Sequence, residues 1–276
     1  MQPLTIVALG GPGLGKSTLA GSICELVPPE ETLLIVAKPG EEKSFSYMKH
    51  GLKPELFYDL GWLPGLKRFK AGAYNKLLQR SVDLLDDTAF GAVIFDPGTD
   101  VINMIEHSIL EPYGKGSFGE LADTMGAYRQ LGDMSQEFLQ TAALLSSAFA
   151  KRPKWVIVPW HVQPAKEGQY VKLGPGQKEK QDSSDERAQG IEYEGVVLPM
   201  LEGRYRRKLA ADVDVVVYCD IEVKKNLRTG IDEVSYFIQA APNKDRHAKV
   251  RGAPVMQRRF PNNMKVLVNA MGVAQK

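Results

Sequence analysis

A glycine-rich stretch near the amino end of the chain runs into a lysine and two hydroxyl residues, in the order Gly10-Gly11-Pro12-Gly13-Leu14-Gly15-Lys16-Ser17-Thr18. The spacing fits G-x-x-x-x-G-K-[ST], and the chemistry it serves is the capture of phosphate. Glycines let the backbone turn its N–H groups inward around phosphate oxygens, and the first turn of a following helix adds further donors and a positive dipole end. Gly11, Pro12, Gly13, Leu14, Gly15, Lys16, Ser17 and Thr18 are the expected binding residues. Lys16 would reach the β- and γ-phosphates, and the Ser17 hydroxyl would sit on Mg²⁺. The flanks agree: Leu4, Ile6, Val7, Ala8 and Leu9 form an apolar run that reads as a buried strand. Leu19, Ile23 and Leu26 read as the helix that follows. The implied ligand is a nucleoside triphosphate with its magnesium.

A second chemical centre is expected at Ala92-Val93-Ile94-Phe95-Asp96, an apolar strand ending in one acid. Beside a phosphate loop, such a carboxylate holds the Mg²⁺ shell opposite the loop hydroxyl. Thr99 and Asp100 follow closely and would either contact metal waters or cap the next helix. After the short strand Thr32–Ala37 come Glu41 and Glu42, where ligands of open α/β sheets bind. Glu41 there would orient an attacking water, the alternative being a solvated acidic pair at a helix start. Trp155 to His161 is a further strand with a polar end, which places His161 to sense the γ-phosphate or to serve as hydrogen-bonded structure.

The elements that must position these groups show in the apolar periodicity. Residues 44–70 are irregular and rich in aromatics, suited to core or to stacking on a base. Tyr74, Leu77, Leu78, Val82 and Leu85 predict a helix over 71–88, and Leu121 to Phe149 predict a long one ending near Ala150, before Pro153. Residues 111–119 read as a loop, and 163–194, crowded with Gly, Gln, Ser and charge, as a flexible loop or hairpin insertion. Val213–Cys219 and Val234–Ala240 predict an antiparallel hairpin through the polar turn 226–230. Basic residues gather at Arg204, Arg206, Arg207 and Lys208, and again at Lys244, Arg246, Lys249, Arg251, Arg258 and Arg259. Such clusters suit a polyanion, either a neighbouring subunit's nucleotide or a nucleic-acid backbone.

Composition narrows the class without naming a partner. At 276 residues the chain suits one large α/β domain over 1–276, and 43% hydrophobic with 25% charged residues is ordinary for a globular protein. A net charge of +2 identifies no ligand by itself. Cys24 and Cys219 stand far apart in no C-x-x-C pattern, so neither a disulfide framework nor a cysteine zinc site is expected. No apolar run approaches the roughly 18 residues of a membrane span, and no secretory leader is read at the start. The expectation is a soluble, cytoplasmic protein without a membrane partner.

The phosphate loop, the acid-ended strand Asp96 with Thr99, the long helix through Tyr128–Asp133, the polar-ended strand at Trp160-His161, the hairpin, and the basic run Ala248-Lys249-Val250-Arg251 together resemble the RecA-type ATPase core. More narrowly, the chain looks like the small phage RecA-like ATPases of the single-strand-annealing recombinase group. The resemblance implies a P-loop NTPase with a mostly parallel RecA-like central sheet flanked by helices and a C-terminal antiparallel hairpin. It implies ATP hydrolysis with Mg²⁺, a homo-oligomeric ring or filament, single-stranded DNA as partner, and, for a phage-encoded chain, the host cytoplasm. Lys249 and Arg251 would then act across a subunit interface on the neighbour's site. Two alternatives stand beside it: a nucleotide or small-molecule kinase, and an assembly ATPase with no DNA contact. A GTPase is disfavoured, because Asp96-Pro97-Gly98 is not D-x-x-G and Asn243-Lys244-Asp245-Arg246 lacks the Asp that guanine reading needs at the fourth position.

Overall fold

The computed structural model describes residues 2–37, 40, 43–56, 62–63, 68–70, 72–163, 198–199, 209, 211–225, 232–240, 248–251 and 259–272. In chain order the elements are β1 (Thr5–Gly10), α1 (Lys16–Gly21), β2 (Thr32–Val36), α2 (Phe45–Met48), β3 (Pro54–Leu56), β4 (Trp62–Leu63), β5 (Arg68–Phe69) and α3 (Ala73–Asp86). There follow β6 (Ala92–Asp96), α4 (Gly98–Leu110), α5 (Thr124–Leu145), β7 (Trp155–Gln163), β8 (Leu198–Pro199), β9 (Val215–Lys225), β10 (Asp232–Gln239), β11 (Lys249–Val250), β12 (Arg259–Pro261) and α6 (Met264–Ala270).

One sheet carries the architecture, in the order β3-β2-β6-β7-β1-β9-β10-β12. From β3 to β9 every pairing is parallel. The antiparallel members are β10 and β12 at one edge, β11 on the start of β9, and β8 on β7. Because parallel strands need crossover connections, helices cover both faces, and β1, β2 and β6 are buried along their whole length. Their sequences accordingly read as continuous apolar runs. One face packs Val7, Leu9, Val93, Phe95, Val158 and Trp160 against α3, α4 and α5. The other packs Ile6, Ala8, Ile94, Ile157 and Val217 against α1, α2 and α6. The mostly parallel sheet, its flanking helices and the β9–β10 hairpin match the expected fold class, and the alternation of faces along each strand is what orients the site residues.

Several boundaries differ from the sequence reading for local reasons. The helix expected through Leu26 stops at Gly21 and continues as a tight 3₁₀ turn over Ser22–Glu25. There the Ser22 hydroxyl donates to Leu19 O at 2.6 Å and accepts from Met264 N at 2.8 Å, so the chain is held by the carboxyl-terminal helix rather than by another α turn. The long helix begins at Thr124, behind an Asp123 cap that accepts from Gly126 N, and ends at Leu145 instead of near Ala150. Ser146 and Ser147 donate back to Ala143 O and Leu144 O, the local competition by which serines close helices. Strand β9 runs past Cys219 to Lys225 because the hairpin with β10 carries it beyond the parallel sheet. The loop expected at 111–119 contains two 3₁₀ turns, Glu111–Tyr113 and Phe118–Glu120. Nearly all of the insertion expected at 163–194 lies outside the described residues, as do Arg204, Arg206, Arg207, Lys208, Lys244, Arg246 and Arg258.

Candidate nucleotide-binding site

Parallel register brings the expected groups to one end of the sheet. Gly10, the last residue of β1, lies beside His161 on β7, while Leu9 pairs with Tyr218 on β9 and Val36 with Asp96. The loop that follows turns through Gly13 at φ 74° and Gly15 at φ 84°, left-handed values that side chains resist. Gly15 has a further constraint: a Cβ there would stand 2.8 Å from the Tyr236 ring and would also collide with the Asn262 amide. A β-carbon at Gly13 meets nothing, consistent with a loop crest facing solvent.

Within the loop, Lys16 is nearly buried and its ammonium donates to Gly11 O at 2.7 Å, lying across the mouth of the turn. Ser17 Oγ donates to Asp96 Oδ2 at 3.1 Å, so the loop hydroxyl and the strand acid, 79 residues apart, meet directly. The Tyr47 hydroxyl donates to the same oxygen. Thr18 Oγ1 and Ser46 Oγ lie 2.9 Å apart, tying α1 to α2. On the other side Asn262 Nδ2 donates to Gly15 O at 2.8 Å, bracing the loop from the segment after β12.

The residues present fit a magnesium ion by donor chemistry. A hydroxyl and one carboxylate, both oxygen donors, meet beside the phosphate loop, and Mg²⁺ is ordinarily held by one or two carboxylates plus substrate phosphates rather than by a protein cage. Among the described residues no cluster of three or more His, Cys, Asp or Glu offers such a cage. Ser17 and Asp96 would hold the ion, Lys16 and the loop amides the phosphates.

The other expected residues are distributed differently. His161 stands next to the loop, its backbone N–H donating to Thr99 Oγ1 at 2.9 Å. Thr99 therefore links α4 to β7 instead of capping the helix; Pro97 occupies the cap position, and Asp100 accepts from Asn103 Nδ2 at 2.9 Å. Glu41 and Glu42 lie outside the described residues. Lys249 and Arg251 sit at the opposite end of β9 from the loop, where β11 pairs with Val215 and Val216. Lys249 Nζ donates to Val213 O at 2.9 Å and Arg251 pairs with Asp214 at 3.2 Å, so neither reaches the loop of its own chain. Burial and the Arg251 charge hold the Lys249 ammonium below its ordinary range. Tyr47, Ser46, Tyr236 and Asn262 are the contributors that sequence alone did not single out as site residues. An aromatic or amide in a strand or loop carries no spacing signal, and only the glycine at position 15 hints that something presses close.

Cys219 lies behind the loop, fully buried, and burial pushes its thiol up to about 12 from an ordinary 9.0, with the Lys16 charge opposing. The unfolded chain therefore releases this proton first as pH rises. Stability is intact below about pH 9 and falls between there and pH 12, by at most about 1.4 kcal/mol per unit. Urea unfolding at pH 8 and pH 10 should show a steeper loss for the wild type than for Cys219→Ala; equal slopes would refute the assignment.

The strand order, the loop and the acid that faces its hydroxyl define the class: an α/β fold with a mostly parallel sheet and a glycine-rich phosphate loop after its first strand. No protein-family model and no curated protein matches the sequence. Among solved structures, the chain is similar to a KaiC-like protein of the hyperthermophilic archaeon Pyrococcus horikoshii at 11% identity and TM-score 0.39, over 94% of this chain and 84% of that one. It is also similar to the flagellar accessory protein FlaH of Methanocaldococcus jannaschii at 12% identity and TM-score 0.41, over 95% and 87%. Among the described residues no helix is long and apolar enough to cross a membrane.

Proposed function

We propose that this protein binds and hydrolyses ATP with Mg²⁺ as a homo-oligomeric ring or filament, and that it acts on single-stranded DNA in phage recombination or annealing. The observation that carries the ATPase reading is the 3.1 Å approach of Ser17 Oγ to Asp96 Oδ2 beside the glycine loop. Ser17 and Asp96 would hold Mg²⁺, which would supply neutralisation of the charge that develops on the transferred phosphate. The chain's own residues do the rest. Loop amides from Gly11 to Thr18 orient the phosphates, Lys16 places a cation against them, and Asp96 keeps the Ser17 hydroxyl aligned. His161 is the proposed sensor of the terminal phosphate, a reading its pairing with Gly10 supports, and Glu41 is the proposed water-orienting base.

Lys249 and Arg251 enter as groups acting on a neighbour's site, since within one chain they occupy the far end of the sheet. The DNA part of the proposal rests on the basic clusters in the sequence. Among them, Arg259 stacks on the Phe237 ring at 3.6 Å and stands 3.8 Å from Glu222. The test is ATP turnover with and without single-stranded DNA, with sizing in each state. Stimulation by DNA together with assembly supports the proposal; phosphoryl transfer to a metabolite, or turnover indifferent to DNA, contradicts its finer half. Arg251→Ala should leave nucleotide binding within about 2-fold and lower turnover by roughly 10²-fold or more under assembling conditions. An unchanged rate there would remove Arg251 from the site.

A further inference from the structure

Asp96 is 2% exposed, and a buried carboxylate is tolerated where hydroxyls or amides satisfy it. Donors reach Oδ2 from both sides: Ser17 Oγ from the phosphate loop and the hydroxyl of Tyr47, which is 0% exposed, from α2. Tyr47 is seated with unusual care for a residue in an otherwise irregular stretch. Its neighbour Ser46 is held at 2.9 Å by Thr18 of the phosphate loop. Behind that contact Gly21 comes so close that a Cβ would stand 2.9 Å from Ser46 O. Helix α2 therefore touches α1 along the chain that binds phosphate, and reaches the metal carboxylate through one phenol.

We infer that Tyr47 is a positioning residue for the magnesium centre, deepening the ATPase reading on which it rests. Its hydroxyl fixes the plane of the Asp96 carboxylate so that the acid meets the Ser17 hydroxyl in the geometry the ion needs. A phenol suits the task because it stays a neutral donor near pH 7, so it orients the carboxylate without cancelling the charge that attracts a cation. Hydrogen-bond partners of metal-holding side chains typically change metal affinity by 10–100-fold when removed.

The test is Tyr47→Phe, which keeps the buried ring and deletes only the hydroxyl. Calorimetric ATP binding is measured first in EDTA and then at stepped Mg²⁺, alongside turnover over the same Mg²⁺ range. The expected result is unchanged affinity in EDTA, a half-saturating Mg²⁺ concentration raised about 10-fold, and turnover that recovers in excess Mg²⁺. An unmoved Mg²⁺ titration overturns the inference, and so does an equal loss of binding with and without metal, which would mark plain packing. Ser46→Ala, which loosens the seat of the same turn, should move the titration in the same direction by about 2–3-fold, and it keeps the idea falsifiable should the phenylalanine variant fold poorly. Wild-type protein that shows no magnesium-dependent ATP uptake would sink the parent reading and this role with it, whereas wild-type uptake with an unmoved titration in both variants sinks this role alone.

Discussion

On the ATPase reading, Lys16→Ala is expected to lower turnover by roughly 10²–10³-fold while leaving the fold intact. The ammonium lies at the mouth of the loop, donating to Gly11 O at 2.7 Å with only 6% of the residue exposed. Preorganised charge in so dry a setting is worth far more than in water, and deleting one such donor commonly costs 10²–10³-fold. Truncation to alanine leaves α1 with a better helix former and gives up the contact to the Gly11 carbonyl, so thermal unfolding should shift by a few degrees. Turnover by purified protein is the readout, with nucleotide uptake by calorimetry beside it. An alanine variant that still hydrolyses ATP near the wild-type rate would end the phosphate-loop account.

The largest expected effect on stability lies just behind the same site. Trp160, wholly buried on β7, packs so tightly over the start of α4 that a Cβ on Gly98 would sit 2.5 Å from its ring and 2.6 Å from Val158. Trp160→Ala should therefore destabilise the protein by about 3–5 kcal/mol, the range for emptying a large aromatic site in a core. Urea unfolding measures it, and a loss below about 1 kcal/mol would mean that the site collapses around the gap. The converse substitution, Gly98→Ala, presses a methyl group into the same ring and should also destabilise, by about 1–3 kcal/mol.

How much of this could be read in advance depended on whether the physics was local. Strands β1, β2, β6 and β7 declared themselves because sheets covered on both faces leave uninterrupted apolar runs, and because their ends are marked by Gly10, Pro39 or Asp96. The encounter of Ser17 with Asp96 followed from two such endings falling on one edge. Helix ends were misjudged where a serine hydroxyl, at Ser22, Ser146 or Ser147, chose a carbonyl over another turn. Tyr47 looked like one more core aromatic, since nothing in residues 44–70 says which acid a phenol will find 49 residues later. The placement of Lys249 and Arg251 was equally hidden: a charge run records composition, and only pairing with the start of β9 puts it far from the loop. Asn262 belongs to the same group, its target fixed by how α6 docks on the 3₁₀ turn at Ser22.

That last contact orders events in time as well as in space. The carbonyl of Gly15 is grasped by an amide 247 positions downstream. A ribosome delivers the first of these partners well before the second, with 247 positions between them. Until then the pocket's opening segment lacks this flanking support, so its mature shape is reached only when the later stretch of polypeptide returns to the earlier one.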